Sequence, residues 1–320
     1  MAKKKSKKSK NKRKRKHSGN QATPQITPQA TPLAEKQEAR PQGQPLLDII
    51  VPVYGEWALA EGAIKSIEAG IKDWTNPAYR IIVIDNGTPE FNNDDGTVIS
   101  PESQSEGVSK LLRKSDKLIR LEENRGFPGG VNYAVSKGKA PLILILSADI
   151  VLLDGAITNL IQEMDNPEIG VVGMKLLFPE QDSPHGPPGT VQHAGHAIDI
   201  SGRLIHIYIG WSRGNPRVNL RKEMASITGA CFITRRSLWN TIGGLHEGYG
   251  KGTFEDVDYC FNTRTHGKKV VYSPLSEAYH IVGGSIIQGA GAAGFNLSAN
   301  EVIFRGRWVN GLEWDVYRYL

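Results

Sequence analysis

The stretch Leu46-Leu47-Asp48-Ile49-Ile50-Val51-Pro52-Val53 is a short apolar run, rich in β-branched residues, that closes around a proline. A run of this length is too short for an ordinary buried helix and predicts a buried strand. The residues from Trp57 to Ala69 predict a helix. A second run from Tyr79 to Ile84 closes on Asp85-Asn86-Gly87, which predicts another strand and a turn. Order therefore begins at Leu46 with a strand, a helix and a strand.

The same alternation continues along the chain. Lys117 to Glu122 predicts a weaker third strand, Gly129 to Lys137 a short helix, and Pro141 to Leu146 a strongly apolar fourth strand. Strands that alternate with helices are typical of a mainly parallel, doubly wound sheet, so we expect an α/β fold of this kind. Ligands of such sheets bind beyond the carboxyl ends of the strands.

The pattern changes after Asp149. Gly170 to Phe178 and Gly202 to Ile209 predict strands, and the Pro- and Gly-rich stretch from Phe178 to Gly189 predicts a surface loop. We expect this part, from about residue 170, to be a smaller mixed half. No linker composition occurs between Leu46 and Trp308, so residues 46–320 are predicted to form a single domain.

The first 45 residues differ from the rest in composition. Residues 1–17 are almost all Lys, Arg and Ser, and residues 18–45 continue in Gln, Thr, Pro and Ala. This composition cannot bury enough surface to offset its ordering entropy, so we expect a disordered arm over residues 1–45. The arm can bind an anionic membrane surface or another polyanion through residues 3–16, or it can be a solubilising tail.

Charge and cysteine content exclude several classes of protein. Eleven of the 39 Lys and Arg residues lie within residues 3–16, which leaves 28 against 33 Asp and Glu elsewhere, so the folded body is mildly acidic. Two cysteines in 320 residues, Cys231 and Cys260, do not make a disulfide framework and fit a reducing compartment.

No apolar run reaches the roughly 18 residues that span a bilayer, and no apolar segment follows the Lys and Arg run. We expect a protein without a transmembrane segment that is cytoplasmic or peripheral at the membrane.

One candidate metal ligand follows the fourth strand. Asp149, in Ser147-Ala148-Asp149, is an acid just past a buried strand without a neighbouring cation in the sequence. Such a carboxylate suits Mg²⁺ or Mn²⁺ holding a diphosphate. An Asp in this position is also common as a turn residue or helix cap.

A candidate general base lies in Phe254-Glu255-Asp256-Val257-Asp258, at the start of a predicted helix that ends near Gly267. A carboxylate held at a helix start beside an apolar core can take a proton from an acceptor hydroxyl. Glu255 and Asp256 can also be there only because the helix dipole favours negative charge in the first turn.

Two further segments carry weaker signals. His280 ends an apolar segment before a Gly-rich stretch, which fits either a ligand or a structural histidine. The turn from Asn124 to Asn132 opens a short helix, so its backbone N–H groups and Arg125 could receive phosphate oxygens. His193, His196 and His206 suggest a zinc site, but no carboxylate partner supports it, and we interpret them as structural.

In their order along the chain, these segments resemble the family 2 glycosyltransferases of the GT-A fold, and within them the rhamnosyltransferase-like branch. The resemblance covers roughly Leu46 to Trp308. It is carried by Ile50-Val51-Pro52-Val53-Tyr54, Ile82-Val83-Ile84-Asp85-Asn86-Gly87, Glu123-Asn124-Arg125-Gly126 with Asn132, Leu146-Ser147-Ala148-Asp149, Thr228-Gly229-Ala230-Cys231-Phe232, Gly243-Gly244-Leu245, Phe254-Glu255-Asp256-Val257-Asp258 and His280-Ile281-Val282-Gly283-Gly284-Ser285. The branch is indicated by Val191-Gln192-His193-Ala194-Gly195 and by residues 300–308.

The resemblance implies a role for each motif. Asp256, with Glu255 beside it, would be catalytic, Asp149 would be the surviving acid of the D-x-D motif, and His280 would be a further metal ligand or diphosphate contact. A Rossmann-like half would bind the nucleotide-sugar through Pro52, Tyr54, Asp85, Asn86, Arg125, Gly126, Asn132, Ser147 and Ala148. Asp85 would contact the base or ribose.

The implied activity is inverting transfer from a nucleoside-diphosphate sugar to a hydroxyl of a glycan, lipid-linked or protein acceptor, in surface polysaccharide or glycan synthesis. Mn²⁺ or Mg²⁺ would assist it. Two positions depart from the family pattern: Ser147 replaces an Asp or Asn, which leaves fewer metal ligands, and Asn262 replaces an Arg, which removes an ion pair from the acidic helix start. The alternative is a catalytically degenerate nucleotide-sugar-binding protein whose basic arm binds nucleic acid or anionic membrane.

Overall fold

A computed structural model describes residues 45–71, 79–93, 95–181, 184–281 and 296–319. The predicted arm lies outside the described residues apart from Pro45, as does the Gly-rich stretch after His280. The described residues all belong to one compact unit, Pro41–Leu320. Among them, no helix is long and apolar enough to cross a membrane.

The strands are β1 (Leu47–Val53), β2 (Tyr79–Asp85), β3 (Phe91–Asn92), β4 (Val98–Ile99), β5 (Lys117–Arg120), β6 (Leu142–Leu146), β7 (Ile150–Leu152), β8 (Ile169–Leu177), β9 (Val191–His193), β10 (His196–Ile198), β11 (Leu204–His206), β12 (Lys222–Glu223), β13 (Cys231–Arg235) and β14 (Lys269–His280). The helices are α1 (Trp57–Gly70), α2 (Pro101–Gln104), α3 (Glu106–Leu111), α4 (Gly126–Ser136), α5 (Ala156–Glu163), α6 (Arg236–Ile242), α7 (Glu255–Thr265) and α8 (Leu297–Trp308).

The central sheet has the order β12-β14-β8-β13-β6-β1-β2-β5, with β7 paired to β14 and β9 to β8. Its first half is parallel, because β1 pairs in parallel with β2 and β6, and β2 with β5. β13 enters antiparallel between β6 and β8 and makes the second half mixed. The predicted α/β fold, with a parallel half and a mixed half, is confirmed.

The buried strands explain why this sheet forms. All residues of β1, β6 and β8 are buried, so their continuous apolar runs require cover on both faces of the sheet. Apolar clusters lie on the two faces, one with α1 and α5 and the other with α4, α6 and α7. The single charge within β1, Asp48, is neutralised by Arg80 and Arg236, at 2.7 and 2.8 Å.

Two predicted boundaries differ from the structure. The strand predicted over Gly202 to Ile209 is limited to β11, because Tyr208 adopts a positive φ of 63° that does not occur in an extended strand. The helix predicted from Gly129 begins at Gly126, where the Asn124 side chain accepts a hydrogen bond from the Gly126 N–H at 2.8 Å. In place of one long strand over Gly202 to Ile209, the short strand β11 pairs with β10 in a separate antiparallel hairpin.

Candidate active site

A cavity with a volume of about 730 Å³ lies where β6 ends. Five of the residues singled out from the sequence line it: Ser147, Asp149, Glu255, Asp256 and His280. They come from three separate segments of the chain. The structure therefore brings the predicted metal ligands and the predicted base to one cavity.

Asp149 and His280 become neighbours through strand pairing. β7 follows Asp149 directly and runs antiparallel to the end of β14, with His280 opposite Ile150. The Ile281 N–H donates to the Asp149 carbonyl at 2.9 Å and extends this pairing. As a result, Nε2 of His280 lies 3.4 Å from Oδ1 of Asp149.

The contacts of His280 fix which ring nitrogen carries the proton. Nδ1 lies 2.9 Å from Oε1 of Gln192, and because that oxygen can only accept, Nδ1 is the donor. We assign this proton from the hydrogen-bond network. Nε2 then either donates to the Asp149 carboxylate, when the ring is charged, or has a free lone pair, when the ring is neutral. A divalent cation shared with Asp149 can replace the proton on Nε2, because Gln192 keeps the ring oriented through Nδ1.

The donor set fits Mn²⁺ better than Mg²⁺. A carboxylate and an imidazole nitrogen are available, and Mg²⁺ prefers oxygen ligands alone. The Ser147 hydroxyl donates to Oδ1 of Asp149 at 2.6 Å, so this serine orients the acid. It does not take over the ligand role of the Asp or Asn that the family pattern has at this position. Burial alone would raise the pKa of Asp149, but a hydrogen bond from His280, the charge of that ring when it is protonated, and the Ser147 hydroxyl outweigh burial and lower the pKa. The carboxylate is therefore ionised and able to bind a cation at neutral pH.

Asp256 lies in the first turn of α7 and lines the same cavity. Its Oδ2 accepts a hydrogen bond from the Gly229 N–H at 2.6 Å, and its Oδ1 accepts one from its neighbour Val257 at 2.7 Å. Burial raises its pKa, and these two backbone N–H groups oppose that rise. A carboxylate with a raised pKa that stays oriented by backbone donors suits general base catalysis.

Glu255 differs from its neighbour in its surroundings. The side chain is buried, and among the described residues its Oε2 has no hydrogen-bond partner. Burial, together with the charge of Asp256, raises the pKa of Glu255 to about 8. Two adjacent acids titrate as a pair: the backbone donors to both oxygens of Asp256 favour its ionised form, whereas burial favours the protonated form of Glu255.

The acidic start of α7 is anchored by Asp258. Its buried carboxylate accepts from Nε of Arg307 at 2.6 Å, Nε1 of Trp308 at 2.7 Å and the Tyr249 hydroxyl at 3.1 Å. The expectation that Asn262 leaves this helix without an ion pair is wrong. Arg307 supplies the ion pair from α8, and the Asn262 amide donates to Asp258 at 3.1 Å.

The predicted nucleotide residues at the end of β2 are enclosed. Asp85 has no exposed surface; its Oδ1 accepts from the Thr88 N–H at 2.9 Å and its Oδ2 pairs with Arg120 at 2.7 Å. Asn86 is also buried and uses its side chain to accept from the Arg125 N–H and to donate to the Gly126 carbonyl. The predicted direct contact of Asp85 with base or ribose therefore does not agree with this structure, because the carboxylate is fully enclosed.

The turn before α4 does not offer free backbone donors to a phosphate. The N–H groups of Arg125, Gly126 and Phe127 donate to Asn86, Asn124 and Lys251. The predicted anion site at these N–H groups is therefore wrong, and the Arg125 side chain is exposed, with its guanidinium 5.2 Å from the Tyr133 ring centre. Gly126 has a positive φ of 74°, and a Cβ there would lie 1.9 Å from the Gly250 carbonyl oxygen, so only glycine fits.

Four predicted residues remain. Pro52 and Ala148 are buried, and Tyr54 is half-buried in the turn after β1. Asn132 lies outside the 730 Å³ cavity, because its amide donates to the Leu245 carbonyl and to Glu247 and ties α4 to the segment after α6. Its role in this structure is to hold that segment.

Two cavity residues, His196 and His206, were interpreted from the sequence as structural. They form a compact cluster with His193, with ring centres 4.3 to 5.0 Å apart. The spacing of His193 and His196 was visible in the sequence. The β10–β11 register sets His206, which the sequence already suggests as the third member of the group, opposite His196.

Comparison with known sequences decides the family. Residues 48–243 match the pattern of Glycosyl transferase family 2. The chain belongs to this family. The match ends before α7, so it includes Asp149 but not Asp256 or His280.

Two curated relatives are similar to this family 2 chain over most of its length. The uncharacterized protein y4gI of Sinorhizobium fredii is 28% identical over 244 residues, which are 75% of this chain and 25% of that protein. The O-antigen biosynthesis protein RfbC of Myxococcus xanthus is 26% identical over 248 residues, which are 75% of this chain and 17% of that protein. The family 2 chain thus spans a quarter or less of these two relatives.

A solved structure shows the same fold. The crystal structure of GalNAc-T7 with UDP, GalNAc and Mn²⁺ superposes with a TM-score of 0.60 at 15% identity, over 83% of this chain and 49% of that one. The family 2 chain therefore has the GT-A glycosyltransferase fold, as the sequence resemblance predicted.

Proposed function

We propose that this protein transfers a sugar, with inversion, from a nucleoside-diphosphate sugar to a hydroxyl acceptor, with the help of a divalent cation. The observation that carries the proposal is the arrangement of three acidic or basic groups around one cavity. Asp149 and the Nε2 lone pair of His280 form a cation site, and Asp256 is held by backbone donors in the same cavity.

Each residue of the site has a separate role in the proposed transfer. The acceptor hydroxyl oxygen bonds to the anomeric carbon, the bond from that carbon to the diphosphate oxygen breaks, and Asp256 takes the hydroxyl proton. A cation bound by Asp149 and His280 would neutralise charge on the leaving diphosphate. Glu255, which stays protonated, adds no second charge beside the base, and Ser147 keeps Asp149 oriented.

The comparisons support the substrate class. Membership of Glycosyl transferase family 2 supports sugar transfer. The GalNAc-T7 crystal holds UDP, GalNAc and Mn²⁺, which is the type of ligand set we propose for this cavity. The similarity to an O-antigen biosynthesis protein supports a role in surface polysaccharide synthesis.

The test is a calorimetric titration of the full chain with UDP, GDP, dTDP and their common sugars, with and without Mn²⁺. We expect one nucleotide to bind selectively, and Mn²⁺ to tighten it in the wild type but not in Asp149→Ala. Asp165→Ala, at an exposed acid after α5, is the matched control and should bind like the wild type. Absence of binding to every donor by folded protein would overturn the proposal.

Turnover is measured as release of the nucleoside diphosphate from the donor that binds. Asp256→Asn should reduce this release about a thousandfold while donor affinity changes little, because only the proton transfer is lost. Retained turnover in Asp256→Asn would remove Asp256 as the base. Loss of donor binding in the same variant would assign it to the binding site instead.

The alternative of a degenerate donor-binding protein rests on the basic arm, which lies outside the described residues, and on Ser147 and Asn262. Both side chains have structural partners, Asp149 and Asp258. Among the described residues, no observation favours this alternative over transfer. The turnover assay separates the two, because the alternative requires donor binding without release of the nucleoside diphosphate.

A further inference from the structure

Three histidines form a cluster at the cavity that contains the proposed cation site and the proposed base. β10 and β11 pair so that His196 is opposite His206, and the backbone of His196 pairs with Ser226. His193 joins them from the end of β9. His193 and His196 are buried, whereas His206 is exposed and lines the cavity with His196.

The ring nitrogens form one continuous chain of hydrogen bonds. Nε2 of His193 lies 3.1 Å from the Thr228 amide nitrogen, and Nδ1 of His193 lies 2.9 Å from Nδ1 of His206. Nε2 of His206 lies 3.2 Å from Nε2 of His196, and Nδ1 of His196 lies 2.9 Å from the Ser226 hydroxyl. All six ring nitrogens are therefore engaged.

The Thr228 amide sets the direction of this chain. A backbone N–H can only donate, so Nε2 of His193 accepts and the neutral ring carries its proton on Nδ1. That proton is donated to His206, which must then carry its own on Nε2 and donate to His196. His196 in turn carries its proton on Nδ1 and donates to Ser226. One arrangement of protons satisfies every contact.

This arrangement disfavours a metal ion held by all three rings. The ligand nitrogens lie within 4.8 Å of one another, close enough for a single cation. A metal bound at Nδ1 of His193 would move the ring proton to Nε2, directly against the Thr228 N–H, and two donors would face each other. Burial, followed by the charge of neighbouring histidines, also lowers the pKa of His193 and His196 well below 6.5, so both rings stay neutral.

The chain starts and ends on the segment that holds the base. Ser226 and Thr228 are its two ends, and the next residue, Gly229, donates its N–H to Asp256 at 2.6 Å. The carbonyl of Ala230 accepts the Ser147 N–H at 2.8 Å, so the same segment also contacts the cation side. The three histidines thus bridge two points of one short segment between the two halves of the site.

We infer that the histidine chain is a positioning device: it clamps residues 226–229 and so fixes the hydrogen bond from Gly229 to Asp256. The inference rests on the proposed function only in giving Asp256 the role of base. His193 is the positioning residue that contacts this segment most directly, since it accepts the Thr228 N–H one residue before Gly229.

The first test reads the protons directly and needs no substrate. The eight histidines of the full chain are labelled with ¹⁵N and observed by long-range ¹H–¹⁵N NMR at pH 7 with Mg²⁺, with assignment by single His→Gln variants. We expect neutral rings with the proton on Nδ1 of His193, Nε2 of His206 and Nδ1 of His196. A charged ring, or the opposite tautomer at His193, would overturn the inference whether or not the protein is a transferase.

The second test separates positioning from simple packing. His193→Gln keeps an acceptor oxygen near the Nε2 position, whereas His193→Leu has a similar size and accepts nothing. His193→Leu should lower kcat for donor hydrolysis about tenfold with the KM for donor unchanged, and His193→Gln should recover to within about threefold. The exposed His266→Gln should match the wild type. Equal effects of Leu and Gln, or a change in KM alone, would contradict positioning.

A zinc titration in the Asp149→Ala background completes the design, because this variant removes the other cation site. We expect no stoichiometric zinc binding that depends on His206. Binding that is present in Asp149→Ala and lost in Asp149→Ala with His206→Ala would show free lone pairs in the cluster and would overturn the inference.

Discussion

The backbone N–H of Gly229 lies 2.6 Å from Oδ2 of Asp256, just before β13 enters the sheet between its two halves. Little space separates the backbone of Gly229 from the Asp256 side chain. A Cβ on Gly229 would lie 3.0 Å from Cβ of Asp256 and 3.4 Å from its Oδ2. Glycine at this position therefore sets how near the proposed base lies to the segment that orients it.

Gly229→Ala should displace the base without affecting the cation site. The added methyl group needs a few tenths of an ångström, and Asp256 is the neighbour that must give way. We expect kcat for donor hydrolysis to fall about tenfold, since small displacements of a catalytic group are costly, while Mn²⁺ affinity is retained. Gly62→Ala, in α1 with nothing within 4 Å of its added Cβ, is the control and should be neutral. Full activity of Gly229→Ala would show that the position of Asp256 is not critical.

Gln192 should control the affinity of the proposed cation site, although it is not itself one of the proposed ligands. Its Oε1 keeps the proton of His280 on Nδ1 and leaves Nε2 for the cation. Gln192→Leu frees the ring to place a proton on Nε2 and donate to Asp149, so Mn²⁺ affinity in the presence of the bound nucleotide should fall 10- to 100-fold, as is typical when the partner of a metal-ligating histidine is removed. Gln192→Glu keeps an acceptor at this point and should retain affinity.

The exposed Gln162→Leu on α5 is the matched control for this experiment and should bind Mn²⁺ like the wild type. If Gln192→Leu and Gln162→Leu bind the ion equally well, His280 is not held by Gln192 or is not a ligand.

The pH dependence of stability should reveal the protonated state of Glu255. Its pKa is raised from 4.5 to about 8 in the folded protein, because it is buried next to Asp256. The folded state therefore binds more protons than the unfolded state between these values, so this group's contribution to stability falls as pH rises through that window and is constant above it.

Glu255→Gln mimics the protonated side chain and removes this dependence. Urea unfolding is measured at pH 5, 6, 7 and 8. The free energy of unfolding of the variant, relative to that of the wild type, should increase by up to about 1.4 kcal/mol per pH unit. A difference that stays constant over this range would show that Glu255 ionises as an ordinary surface acid does.

Much of this architecture could be predicted from sequence, for a physical reason. β1, β2 and β6 are predominantly apolar because both sheet faces are covered, and acids placed directly after a strand or at a helix start mark the site edge. Asp149 and Asp256 could thus be selected without a structure.

Contacts that depend on register could not be predicted. The pairing of β7 with β14 brings His280 to Asp149, and the β10–β11 hairpin brings His206 to His196. Tertiary contacts also changed two interpretations. The donors of the turn at Gly126 are used within the protein, and the ion pair expected at position 262 comes from Arg307 on another helix. Spacing along the chain contains no information on such partners.

Arg307 should contribute more to stability than Arg305, although both are on α8 and both side chains are 37% exposed. The partners differ, because the Asp258 side chain is 2% exposed and that of Glu301 is 36% exposed. Arg307→Met leaves a buried carboxylate without its cation and should lower the free energy of unfolding by about 2 kcal/mol. Arg305→Met breaks only an exposed i,i+4 pair and should cost less than about 0.5 kcal/mol.

The double variant Arg307→Met with Asp258→Asn tests the cause of the larger loss. If an uncompensated charge is responsible, neutralising Asp258 in the Arg307→Met background should recover part of the stability, and urea unfolding of the four proteins of this cycle gives the coupling energy. In Asp258→Asn the Trp308 and Tyr249 donors, which both bond Oδ1, still have an oxygen to bond. Asn262 loses its bond to Oδ2 but keeps the one to the backbone carbonyl of residue 258, so packing at the start of α7 is largely kept. Equal losses for Arg307→Met and Arg305→Met, or no coupling in the cycle, would mean that α8 is held on α7 by apolar packing alone.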